Sequence, residues 1–206
     1  HMPSRRQRQM CIRDRQRTES KTLILDNKFT IQFFRDTLKH FAEYDLVVLN
    51  ETKVRPARIL LQKDSGGYVE ILILQKTTKY RAVCLAKGLN RKKTNQTLYS
   101  SNFPVKIKII SNVSKDIEIE FDQDIDQLCM EIGQMPIPPY LGREAEEIDI
   151  ERYQTVFAKD ECLGSAAAPT ASLHMDDAFL KNVEQATKVC KINLNVELNC
   201  EISLFA

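Results

Sequence analysis

Tryptophan is absent, and only six glycines, seven prolines and three histidines occur among 206 residues. That scarcity excludes collagen-like repeats and low-complexity disorder. No apolar run approaches the ~18 residues of a membrane helix. The N-terminus is polar and Arg-rich where a signal peptide has an apolar core. The expectation is a cytoplasmic protein without membrane association. The six cysteines (Cys11, Cys84, Cys129, Cys162, Cys190 and Cys200) contain no C-x-x-C pair, so neither a zinc ribbon nor a disulfide framework is indicated and no metal site is predicted. Also missing are a Walker loop, a G-x-G-x-x-G unit, H-E-x-x-H and a nucleophile elbow.

What is present is ordinary globular material, 43% hydrophobic and 28% charged, sufficient for one sizeable core or two small ones. The net charge of +2 conceals an asymmetry. Residues 1–21 carry seven Lys/Arg against Asp14 and Glu19, whereas the rest has 23 basic against 26 acidic residues. His1-Met2 has the look of a cloning scar, and Met10-Cys11-Ile12-Arg13-Asp14-Arg15 resembles the reading frame of a library adapter. Residues 1–17 are therefore set outside the fold.

The periodicity changes twice along the chain. Lys21 to Asp26 reads as a strand and turn, Phe33, Phe34, Thr37, Leu38 and Phe41 predict a helix over 30–41, and Asp45 to Asn50 predicts a strand buried on both faces. Short alternating strands follow at Val69–Leu74, Tyr80–Ala86, Val105–Ile109 and Ile117–Phe121, the pattern of a small antiparallel barrel. A helix near 124–132 leads to three prolines at 136, 138 and 139 that fix an extended return. Ile148, Tyr153, Val156 and Phe157 can share a helix face with Asp149 as N-cap. Asp176 or Asp177 caps a helix to about Lys188, and Ile192–Val196 begins a last strand. The predicted fold class is mixed α+β or α/β, an α/β domain interrupted by an inserted antiparallel β-barrel domain. The boundaries are 18–58 for the first α/β part, 59–135 for the barrel and 136–206 for the second α/β part.

Four segments carry candidate chemistry. Asp149, Glu151, Arg152, Tyr153 and Gln154 crowd one turn, where Asp149 and Arg152 stand at the i,i+3 spacing of an ion pair. The residues from Gly164 to Ser172 have little side-chain bulk, so backbone N–H groups and the hydroxyls of Ser165, Thr170 and Ser172 can approach a ligand closely. His174 ends that segment and titrates near neutrality, the property of a general base or acid. Asn50, Lys53 and Arg58 follow the predicted strand 45–49, and polar groups at that end of a strand are where open α/β folds bind ligands. Lys87, Arg91, Lys92 and Lys93 form a basic loop suited to phosphate contacts.

Taken together, five blocks resemble one family, the S-adenosylmethionine:tRNA ribosyltransferase-isomerases of queuosine biosynthesis. They are Leu46 to Arg58, Gly66-Gly67-Tyr68-Val69-Glu70-Ile71-Leu72, Pro136 to Leu141 with Arg143, Asp149 with Glu151 to Ala158, and Gly164-Ser165 followed by Ala167 to Ala171 and Leu173-His174. The resemblance implies the interrupted α/β fold. It also implies transfer and isomerisation of the ribosyl moiety of S-adenosylmethionine onto 7-aminomethyl-7-deazaguanine in tRNA, giving epoxyqueuosine with release of adenine and methionine. S-adenosylmethionine enters as ribosyl donor, tRNA is the partner, and a monomer is expected. Under this reading His174, Asp149 and Glu151 move protons. Arg152, Tyr153, Gln154, Tyr140, Ser165, Thr170, Ser172, Asn50, Lys53 and Arg58 bind substrate, with Tyr140 or Tyr153 offering an aromatic face to the sulfonium. Lys87, Arg91, Lys92 and Lys93 bind RNA. Ala166, Ser172 and Met175 stand where the family has Val, Gly and Phe. Residues 201–206 look like the approach to a further family strand, so the chain reads as a C-terminally truncated member. A non-catalytic RNA-binding module, or an inactive fragment of that enzyme, is the alternative.

Overall fold

The computed structural model describes residues 16–25, 28–101, 103–112, 115–138 and 141–196. They fall into two compact units. The first contains residues 16–53, Pro138–Leu163 and Ala168–Leu194; the second contains Val54–Ile137, Gly164–Ala167 and residues 195–196.

Alternation of apolar and polar residues builds the second unit. In Ile117–Phe121 the odd positions are buried and Glu118 and Glu120 are half-buried, while Val105, Ile107 and Ile109 point inward between exposed Lys106 and Lys108. Six antiparallel strands follow around the sheet in the order Arg58–Gln62, Tyr68–Lys76, Arg81–Lys87, Ile117–Phe121, Phe103–Ser111 and Asn95–Ser100. Gln62 opposite Tyr99 joins the last strand to the first and closes the barrel, which removes the free sheet edges that invite aggregation. Two of these strands, Arg58–Gln62 and Asn95–Ser100, are absent from the sequence expectation. The core is aliphatic, with Ile59, Val69, Ile71, Ile117 and Ile119 fully enclosed. The Ile125–Ile132 helix adds Ile125, Leu128 and Cys129 to that core, and its N-cap Asp124 accepts hydrogen bonds from the N–H groups of Asp126 and Gln127. Gly88 has φ +77°, and a Cβ there would meet the Tyr68 carbonyl oxygen at 2.4 Å. Only glycine fits that turn.

The first unit is a thin α/β layer. Leu46–Asn50 and Lys188–Ile192 pair in parallel, Leu46 opposite Lys188 and Asn50 opposite Ile192. Val47, Leu49 and Val189 pack with Phe34, Phe41, Phe157, Met175, Phe179, Leu180 and Val183. Phe34 and Phe179 lie 4.8 Å apart between ring centroids, and Phe41 meets Phe179 edge-on at 5.5 Å, the geometry favoured by the ring quadrupole. The Asp177–Ala186 helix supplies Phe179, Leu180 and Val183, spaced to share one face, and Asp176 caps it by accepting the Phe179 N–H at 2.8 Å.

Several expectations for this unit are corrected. The helix predicted over 30–41 is a strand at Phe29–Phe33, a 3-10 turn at Phe34–Thr37 and a single helical turn at Leu38–Phe41. Phe29, Ile31 and Phe33 alternate with Thr30 and Gln32, and the strand pairs with Lys21–Leu25 from Lys21 opposite Phe33 to Leu25 opposite Phe29. Period two wins there, and the helical spacing holds only from Phe34 onward. The Leu46–Asn50 strand is buried on one face rather than both, since Leu46 and Val48 are 51% and 53% exposed. The predicted strand 192–196 occurs earlier, at Lys188–Ile192. The helix expected to include Tyr153, Val156 and Phe157 is confined to Ile148–Arg152, with Glu147 and not Asp149 at its N-cap position. Val156 and Phe157 reach the core from the following loop.

Candidate functional site

Asp149, Glu151 and Arg152 occupy the short Ile148–Arg152 helix, and Tyr153 and Gln154 follow it directly. Asp149 as a whole is 4% exposed. Both its carboxylate oxygens are engaged by Arg143, Nη1 to Oδ2 at 2.5 Å and Nη2 to Oδ1 at 2.7 Å, and the Glu146 N–H adds a third bond at 2.9 Å. Such a bidentate fork fixes a carboxylate in orientation as well as charge. Asp149 thus anchors the helix start, and its oxygens are not open to a substrate proton. Glu151 is exposed, Arg152 half-buried, and Tyr153 and Gln154 buried.

The small-residue segment makes a 3-10 turn at Thr170–Ser172, stitched by Ser172 N–H to Pro169 C=O at 3.0 Å and Met175 N–H to Ser172 C=O at 3.2 Å. Thr170 and Ser172 are half-buried and can meet a ligand. His174 comes next, half-buried, its ring 5.6 Å from that of Phe34. Burial first, and the positive charge of Arg17 second, push its pKa below the ordinary value. The imidazole is therefore neutral at pH 7, the form that accepts a proton.

Arg17 belongs to the segment 1–17 expected to lie outside the fold, yet it touches both parts of the site. Its Nη1 donates to the Leu173 carbonyl at 3.0 Å and its Nη2 to the Glu151 carbonyl at 3.1 Å. One guanidinium spans only a few ångströms, so the His174 turn and the Ile148–Arg152 helix are neighbours within the first unit. Arg17 sits at the end of a basic run, and nothing in its sequence context separates it from solvated charge. Arg143 stands six residues from Asp149, a distance that matches no helical pair spacing, so the sequence alone does not join them.

Other expected site residues are committed elsewhere. Asn50 donates to the Leu194 carbonyl at 2.8 Å and accepts from the Leu194 and Thr52 N–H groups at 3.0 and 3.2 Å. It ties two chain segments together. Lys53 forms an ion pair with Asp160. Nearby, Glu51 pairs with Lys159 at 2.9 Å and accepts the Cys162 thiol at 3.9 Å. In the second unit, Arg58 pairs with Glu70 at 2.8 Å, and Ser165, fully buried, accepts the Val196 N–H at 2.8 Å. Tyr140 lies outside the described residues. In the basic loop of that unit, Arg91 donates to the Lys115 carbonyl at 2.9 Å and receives a bond on its own carbonyl from Asn112 at 3.1 Å. Lys87, Lys92 and Lys93 are exposed. Lys93, Lys106 and Lys108 line a cleft of about 340 Å³. Among the described residues no helix is long and apolar enough to cross a membrane.

The chain matches the family model described as "Queuosine biosynthesis protein" over residues 1–202. It is similar to the S-adenosylmethionine:tRNA ribosyltransferase-isomerase of Acinetobacter baumannii (strain SDF), at 42% identity over 173 residues, 82% of this chain and 49% of the relative. It is likewise similar to proteins of that name from Legionella pneumophila (strain Paris), at 34% identity over 87% of this chain and 54% of the relative, and from Trichlorobacter lovleyi, at 33% over 89% and 55%. The chain spans about half the length of the curated relatives it matches. A crystal structure of the S-adenosylmethionine tRNA ribosyltransferase from Thermotoga maritima aligns with 87% of this chain and 52% of that one at 19% identity, with a TM-score of 0.34. That likeness adds nothing to the family match.

Proposed function

Because this chain belongs to the queuosine biosynthesis family, we propose that it acts as an S-adenosylmethionine:tRNA ribosyltransferase-isomerase. The reaction moves the ribosyl part of S-adenosylmethionine to the aminomethyl group of a 7-deazaguanine in tRNA, yields epoxyqueuosine and releases adenine and methionine. The observation that carries the reading is the family match, with a relative of that name 42% identical over 173 residues, 82% of the chain.

The geometry of the first unit supports it. An amine that attacks carbon must lose a proton, and a neutral imidazole beside a small-residue turn suits that task. His174 is assigned this role. Thr170 and Ser172 supply hydroxyls for the ribose or the carboxylate, and Glu151 and Arg152 supply exposed and half-buried charge on the adjoining helix. Asp149, expected to move protons, instead holds that helix through Arg143. Lys53 and Arg58 are paired with carboxylates and contact substrate only if those pairs open. The target base must leave its stack to meet the imidazole. A tRNA substrate supports a cytoplasmic location.

The barrel supports a second reading, an RNA-binding module without catalysis. Its Lys93, Lys106 and Lys108 cleft presents three cations, while its carboxylates are partly engaged, Glu120 by Arg81 and Asp122 by the Lys106 N–H at 3.1 Å. Incubating the chain with S-adenosylmethionine and tRNA bearing the deazaguanine precursor separates the two. Free adenine, measured by chromatography, supports the transferase. Retained tRNA binding with no adenine supports the binding module.

A further inference from the structure

We infer that Arg17 and Thr18 are positioning residues, a clasp that holds the His174 turn against the Ile148–Arg152 helix. Its functional meaning rests on the proposed role of His174; its test does not.

The clasp closes a circuit. Arg17 joins the carbonyls of Leu173 and Glu151, at 3.0 and 3.1 Å, across sequence separations of 156 and 134 residues. A guanidinium is planar and rigid, so two bonds from its two terminal nitrogens fix a spacing that a flexible ammonium does not. Thr18, buried, donates to Asp176 Oδ2 at 3.2 Å, and the other oxygen of that carboxylate caps the Asp177–Ala186 helix. The Ser20 carbonyl accepts the Phe34 N–H at 2.7 Å, and the Phe34 ring packs on His174. Residues 17–20 therefore link, directly or through one neighbour, the His174 turn, the Ile148–Arg152 helix, the cap of the Asp177–Ala186 helix and Phe34.

The charges agree with this arrangement. Glu151, Arg152, Asp176 and Asp177 surround the Arg17 guanidinium, which burial and then Arg152 push below its ordinary pKa while Glu151, Asp177 and Asp176 act in the opposite sense. Arginine stays charged under any such shift. Among these groups Arg17 is the one whose charge bears on His174. The clasp thus does two things at once: it sets where the imidazole sits and it disfavours the imidazolium.

The test is an NMR titration of the His174 ring in the 206-residue chain, combined with amide hydrogen exchange at Met175 and Tyr153. Arg17→Gln should raise the His174 midpoint toward the ordinary value and speed exchange at those amides by roughly 10- to 100-fold, the loss expected for hydrogen bonds to a charged group. Arg17→Lys keeps the charge but not the fork, so the midpoint should stay low while exchange still quickens. Thr18→Val should leave the midpoint alone and loosen the Phe179 amide. If Arg17→Gln unfolds the chain, Arg17→Lys decides by itself. Wild-type exchange in Arg17→Lys, or a wild-type midpoint and exchange in Arg17→Gln, overturns the clasp. Absence of adenine release would sink the proposed function and leave this result standing, and the reverse also holds.

Discussion

Substituting Asp149 by Asn leaves the side-chain shape and one acceptor for the Glu146 N–H but removes the charge that Arg143 grips with both terminal nitrogens. The carboxylate side chain is 5% exposed and the guanidinium 25%. Breaking a buried pair by deleting one partner costs about 3–5 kcal/mol, because the survivor is left as an uncompensated charge. The partial exposure of Arg143 lets water recover some of this, so the loss should be roughly 2–4 kcal/mol. With a urea dependence of about 1–3 kcal/mol per molar, the unfolding midpoint should fall by ~1–2 M when followed by circular dichroism. The double variant Arg143→Gln, Asp149→Asn should lose less than the two single losses combined, since no lone charge remains. A midpoint in Asp149→Asn within ~0.2 M of wild type would refute the reasoning and return Asp149 to the pool of free carboxylates.

Other expectations follow from separate features. Gly88→Ala in the barrel combines a positive φ with a Cβ at 2.4 Å from a backbone oxygen; thermal unfolding should show a loss of about 2–4 kcal/mol, and an unchanged Tm would mean the turn can rearrange. Burial pushes the Cys129 thiol up to about 12 and that of Cys84 higher still, whereas Cys190 is exposed. At pH 8 an alkylating reagent followed by mass spectrometry should modify Cys190 and spare Cys84 and Cys129; comparable labelling of all three would show that the barrel opens. His174 has its pKa lowered from 6.5 in the folded chain, so the folded state binds fewer protons than the unfolded one. Its stabilising effect is complete above the ordinary value and is lost as pH falls through it toward the folded pKa. The stability of wild type relative to His174→Gln should therefore drop between pH 7.5 and pH 5.5, and urea midpoints that shift in parallel would contradict this.

The barrel was legible where alternation was strong. Ile117, Ile119 and Phe121 against Glu118 and Glu120 admit no other pattern. Asn95–Ser100 carries no such signal, because only Gln96 and Leu98 turn inward, and one of them is polar. The sequence favours a helix from residue 30 because Phe33, Phe34, Thr37, Leu38 and Phe41 satisfy a helical spacing whose first member belongs to a strand. In the candidate site, residue type and position single out Thr170, Ser172 and His174, and the structure puts their turn beside the Ile148–Arg152 helix. The links that create this proximity were invisible. Arg17 reaches across 134 and 156 residues, and contacts at that range leave no periodic trace in a single sequence. Asn50 looked like a ligand because it is polar at a strand end, but such positions also serve to pin neighbouring backbone, as its bonds to Leu194 show.

The most direct measurement is single-turnover adenine release from S-adenosylmethionine, with tRNA bearing the deazaguanine precursor, by wild type and by His174→Gln. The account predicts release by wild type and a rate lower by ~10²–10⁴-fold in the variant, the range that a general base contributes. Equal rates would remove the imidazole from the chemistry, and no adenine from wild type would contradict the assignment of this reaction to the chain.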